Sequence, residues 1–142
     1  MIHFTSYFEN IENIPGEIKL FSIARFSPRT FHGESFSELA PSKELLRQYK
    51  LDLIDKSDYI KVYRNYLDRN KERLLNQITL KIGDNQSCFL CYELPYKFCH
   101  RQLLSEWINM NSDLTFMEFR GEYVRTQKKI ERYNRRCSVL SN

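Results

Sequence analysis

The chain has 142 residues, 42% of them hydrophobic and 14% aromatic, with a net charge of +4. That is enough for one domain with a real core; it excludes two ordinary domains and, despite a mean hydropathy of -0.57, a disordered segment. No apolar run approaches the length of a membrane span.

In chain order, Ile2 to Phe8 mixes β-branched and aromatic side chains and predicts a strand, closed by the Pro15-Gly16 turn pair. Ile18 to Arg25 repeats the type and predicts a central strand, with Arg25 at its end and Arg29 in the loop that Pro28 makes irregular. Residues 30 to 41 hold Gly33 and Pro41 and show no period, which predicts an ordered excursion or lid outside the core. A helix follows with Ser42 as N-cap and Leu45, Leu46 and Tyr49 on one face. Ser57 is the expected cap of the next, since Tyr59, Ile60, Tyr63, Tyr66 and Leu67 recur at helical spacing; Leu74, Leu75 and Ile78 continue the pattern after Asn70. Beyond the Gly83-Asp84-Asn85 turn, Ser87 to Cys91 is apolar enough for a strand buried on both faces. From Phe98 a helix carries Leu103, Leu104, Trp107 and Ile108 inward, and Leu114 to Phe119 suits a last strand.

Positive charge gathers at the end of the chain. Residues 119 to 142 hold seven basic side chains against two acidic ones, while the remainder holds 15 basic and 16 acidic. Tyr123, Ile130, Tyr133 and Cys137 form one apolar stripe there, which predicts a basic amphipathic helix docking on the domain. The same helix would suit a nucleic acid or an acidic protein partner, and its stripe a homodimer. Four cysteines, at 88, 91, 99 and 137, without a secretory apolar segment, read as reduced thiols and predict a cytoplasmic protein.

Cys88 to Arg101, CFLCYELPYKFCHR, concentrates the chemistry: a strand end, a loop and a helix start bearing Cys91, Glu93, Cys99, His100 and Arg101. Taken singly, Cys91 would be a small buried hydrophobe. Grouped with a carboxylate and an arginine, Cys91 and Cys99 become candidate nucleophiles and Glu93 a candidate proton carrier. His100 is expected to be a satisfied structural histidine, off the helix face of Cys99. Cys88 and Cys137 lack such company and are expected to be structural. Arg101 stands in a first helical turn, where the helix dipole disfavours a cation unless an anion compensates. If the second and third strands are neighbours, Arg25, Arg29 and Arg101 meet the thiols and form an anion pocket. Zinc held by Cys91, Glu93, Cys99 and His100 is the competing chemistry. The Cys88-x-x-Cys91 spacing argues poorly for it, because residues three apart on a strand face opposite ways. No metal and no cofactor is called for.

Ser6-Tyr7-Phe8, SIARFSPR from Ser22, ELAPSKELL from Glu38, the tyrosine-rich helix around Tyr63 and LCYELPYKFCHRQLLSEW from Leu90 to Trp107 together resemble domain-of-unknown-function family 488 from residue 1 to about 110. The resemblance implies a single α/β domain, a three-layer arrangement with a small, mainly parallel sheet flanked by helices, over residues 1–112. Residues 113–142 are then an extension ending in the basic helix. The family carries no activity over to the chain. From the residues, the expected function is a small enzyme acting on an anionic small molecule such as a nucleotide or nucleic-acid component. The alternative is a non-catalytic module binding nucleic acid or protein through residues 119–142.

Overall fold

A computed structural model describes residues 1–121. The expected basic helix and Cys137 lie outside the described residues. Five strands, β1 (Ile2–Tyr7), β2 (Lys19–Ser22), β3 (Glu34–Ser35), β4 (Ser87–Cys91) and β5 (Thr115–Glu118), form one sheet in the order β3-β2-β4-β1-β5, with every pairing parallel. Among the described residues, α1 (Lys43–Lys50), α2 (Lys56–Arg69), α3 (Lys71–Ile82) and α4 (His100–Asn111) accompany it. The protein is a single α/β domain.

β4 lies at the centre and β2 one place from the edge. All five residues of β4 are buried, as a strand covered on both faces requires. Phe89 and Cys91 face a large core with the inner sides of all four α-helices, while Cys88 and Leu90 face a smaller cluster with Ile14 and Ile18. Among the described residues, a 3₁₀ turn, Phe8–Asn13, and loop residues such as Phe31 cover that side. This distribution follows from handedness. Moving one way along a parallel sheet by right-handed crossovers places connections on one face, and moving back places them on the other.

Ser42 caps α1, its hydroxyl accepting from the Leu45 N–H at 3.1 Å. The cap of α2 is Asp55 rather than Ser57: the Asp55 carboxylate accepts from the Asp58 N–H while the Asp58 carboxylate accepts from the Asp55 N–H, a reciprocal box that satisfies two donors. Gly83, at φ 56°, closes α3 in a conformation that side chains resist.

Residues 30–41 contradict the expected excursion. Glu34–Ser35 adds β3 to the sheet edge, and Phe36, Leu39 and Ala40 are buried. The Tyr63 hydroxyl donates to the Leu39 carbonyl at 2.5 Å and that of Tyr66 to the Glu38 carbonyl at 2.6 Å, pinning the segment to α2. Thr115–Glu118 pairs with β1 and carries the sheet beyond residue 112. No helix among the described residues is long and apolar enough to cross a membrane.

Candidate functional site

β2 and β4 are adjacent and parallel, so the chain leaving both emerges at one edge of the sheet. The Ile23 N–H still donates to the Leu90 carbonyl at 2.9 Å, which keeps the two strand exits together as far as Ala24 and Arg25. β2 then leads toward the 3₁₀ side and β4 toward α4 on the other face, opening a crevice of the kind in which open α/β sheets bind ligands. A cavity of ≈ 310 Å³ fills it, lined by Ala24, Arg25 and Phe26 after β2, Leu46, Tyr49 and Tyr59 from α1 and α2, and Cys91, Tyr92, Glu93, Phe98, Cys99 and His100 around the β4–α4 connection.

One wall is aromatic. Tyr59 packs against Tyr49 at 4.9 Å and edge-on to Phe98 at 5.3 Å between ring centroids. Burial pushes the Tyr59 hydroxyl pKa up, so it stays a neutral donor. At the mouth the Tyr92 hydroxyl donates to the Phe26 carbonyl at 2.7 Å, tying the two strand-exit loops together.

The opposite wall holds the reactive groups. The sulfurs of Cys91 and Cys99 are in bonding contact, paired where the sequence predicts separate reduced thiols, with Cα atoms 7.9 Å apart. Bridged cysteines usually keep their Cα atoms within about 4.4–6.8 Å. The backbone thus favours two sulfurs converging on one point over a settled crosslink. His100 Nε2 lies 2.8 Å from the Ile23 carbonyl oxygen, which can only accept, so Nε2 carries the proton. Nδ1 is then an unprotonated lone pair, 3.9 Å from Cys99 Sγ. Burial, with Arg101 and Arg25 nearby, lowers the His100 pKa to about 4 against the pull of the Ile23 carbonyl.

His100 is a satisfied buried histidine, through the Ile23 carbonyl, and at the same time lines the cavity beside Cys99. Cys99 is the N-cap of α4, in extended backbone at φ -151° and ψ 149°, so its side chain does not follow the helix periodicity that would separate it from His100. Gln102 fixes the cap, its Oε1 accepting from the Cys99 N–H at 2.8 Å.

Arg101 is fully buried behind Cys91. Its Nη1 donates to Cys91 Sγ at 2.9 Å and to the Glu93 carbonyl at 2.5 Å, and its Nε to the Glu118 carboxylate at 2.8 Å. Glu118 on β5 is thus the anion that an arginine in a first helical turn needs. Burial raises the Glu118 pKa, opposed by Arg101 and by the Thr5 hydroxyl. Arg101 Nη2 has no partner among the described residues. Arg25 reaches the cavity, although its Nε and Nη2 donate to the Ala40 and Pro41 carbonyls at 3.1 Å. Arg29 is exposed and outside the cavity lining. Glu93 is an exposed residue at the edge of the cavity. Of the predicted groups, the structure brings together Cys91, Cys99, Glu93 and Arg25 on the cavity, and sets Arg101 behind it.

A family model described as the active DUF488-N3 subclade matches residues 8–112. The chain belongs to the DUF488 family. No curated protein and no solved structure matches it. The match spans every residue that lines the cavity, so the site lies wholly within the DUF488 region. Cys88, buried on the far face of β4 with its thiol pKa pushed up by burial, takes no part. Sequence reasoning missed Glu118, and the aromatic wall of Tyr49, Tyr59 and Phe98, whose helical spacing signalled only core.

Proposed function

We propose that the chain is a small enzyme acting on an anionic, ring-bearing metabolite of the nucleotide class, with Cys91, Cys99 and His100 as its chemical centre. One observation carries this reading: two sulfurs and an imidazole lone pair share a cavity with an aromatic wall. The cavity's ≈ 310 Å³ is at the small end of ligand sites and suits a single base or nucleoside better than a dinucleotide. Tyr49, Tyr59 and Phe98 offer ring faces and edges for stacking. Arg25 stands at the rim, its Nη1 free of hydrogen bonds among the described residues and able to meet a phosphate or carboxylate. Arg101 acts as a positioning residue, holding Cys91 and placing a positive charge where an anionic sulfur would form. Glu93, at the edge, can pass protons between ligand and solvent. The proposed chemistry needs Cys91 and Cys99 as thiols, a state that a reducing compartment such as the cytoplasm maintains.

The reading is tested by titrating nucleosides and their phosphates into the purified chain and following the loss of any substrate bound. Saturable binding of a phosphorylated nucleoside is expected, with turnover abolished in Cys91→Ser and in Cys99→Ser while binding persists. Folded serine variants that retain full turnover would contradict the assignment.

A further inference from the structure

We propose that Cys91 Sγ, Cys99 Sγ and His100 Nδ1 form a three-ligand site for a soft divalent cation of the zinc class, its remaining coordination position open to the cavity. The three donor atoms lie within 4.8 Å of one another. A tetrahedral zinc with bonds of about 2.0–2.3 Å sets such donors roughly 3.5–3.8 Å apart; the 3.9 Å between Cys99 Sγ and His100 Nδ1 matches that, while the two sulfurs, in direct contact, would move apart to admit the ion. The histidine is prepared in the manner of a ligand: its other ring nitrogen donates to the Ile23 carbonyl, which fixes both tautomer and ring orientation. The Cα separation of 7.9 Å, long for a direct bridge, suits sulfurs that share an ion. Arg101, donating to Cys91 Sγ, is the outer partner that a ligating thiolate uses. Glu93 is not part of this cluster. All three ligand residues line the cavity, so the fourth position falls where a substrate atom or water would stand. Binding would release the two thiol protons to solvent and leave the centre neutral: two thiolates, a neutral imidazole and a doubly charged ion. The use of that open position rests on the cavity being the working site; metal binding itself does not.

The test is made on the full chain, expressed with zinc and purified without chelator, with metal counted by mass spectrometry and zinc then exchanged for cobalt. One zinc per chain is expected, and a cobalt spectrum with thiolate charge-transfer absorption. Cys99→Ser and His100→Gln should each lose stoichiometric metal, while Cys88→Ser, on the far face of β4, keeps it. If the site variants fail to fold, competition between the wild-type chain and a chromophoric chelator still decides. A wild-type chain that takes up neither ion at one equivalent, a cobalt spectrum lacking thiolate bands, or loss of metal in Cys88→Ser alone overturns the proposal. Nucleotide binding without metal uptake overturns only this inference; metal uptake without nucleotide binding overturns only the proposed substrate class.

Discussion

His100 Nε2 donates to the Ile23 carbonyl at 2.8 Å, and that bond leaves the Nδ1 lone pair facing Cys99. Ile23 belongs to the chain leaving β2, so the strand next to β4 determines how an imidazole at the start of α4 is oriented. The site depends on this long-range arrangement more than on any local motif.

A pH dependence follows. The folded His100 pKa of about 4 lies below the usual 6.5, so in the metal-free chain the unfolded state binds a proton that the folded state refuses. The contribution is fully present above pH 6.5 and is lost as pH falls from 6.5 to 4, by about 3 kcal/mol in all. Denaturant unfolding across this range checks it. His100→Gln should flatten the corresponding part of the profile, whereas an unchanged slope would assign the effect to another group, His3 being the next buried histidine.

Glu118→Gln should destabilise the fold by about 3–5 kcal/mol, because it leaves the Arg101 charge buried without its carboxylate. Replacing both partners, Arg101→Met with Glu118→Gln, should recover part of that loss, since an apolar pair carries no stranded charge. Comparing unfolding midpoints of the single and double variants tests this.

Tyr63→Phe removes the donor to the Leu39 carbonyl and should cost about 1–2 kcal/mol, through the 34–41 segment rather than the reactive centre. Thiol alkylation rates at Cys91 and Cys99 should stay at the wild-type value. A faster rate would show that α2 and the edge segment also hold the cavity closed.

The two loop arginines should separate. Arg29→Ala should leave ligand affinity unchanged, because that side chain is exposed and outside the cavity. Arg25→Lys should weaken an anionic ligand about tenfold, since lysine cannot hold the Ala40 and Pro41 carbonyls and a phosphate through one planar fork. Equal losses in both variants would return Arg29 to the site.

Much of the fold is legible in the chain because its signals are local. The uninterrupted apolar run at Ser87–Cys91 announces a strand buried on two faces, and Ser42 announces the start of α1. Two failures are also local. Asp55 and Ser57 are both acceptable caps, and only the reciprocal bond from Asp58 selects the first. Phe36, Leu39 and Ala40 lack a period because they enter the core from a two-residue strand and a 3₁₀ turn. In the site, the meeting of Arg25 with Cys91 and Cys99 follows once β2 is placed beside β4. Glu118 beneath Arg101 does not, since it requires β5 to lie on the far side of β1. Helical periodicity also misleads at Cys99, whose backbone is still extended.

The most direct measurement is a calorimetric titration of a nucleoside monophosphate and the matching nucleoside into the wild-type chain and Tyr59→Ala. One saturable site is predicted, about tenfold tighter for the phosphate form because of Arg25, and lost when the aromatic wall is cut back. Absence of binding for every base, or affinity unchanged in a folded Tyr59→Ala, would contradict a nucleotide-class ligand in this cavity.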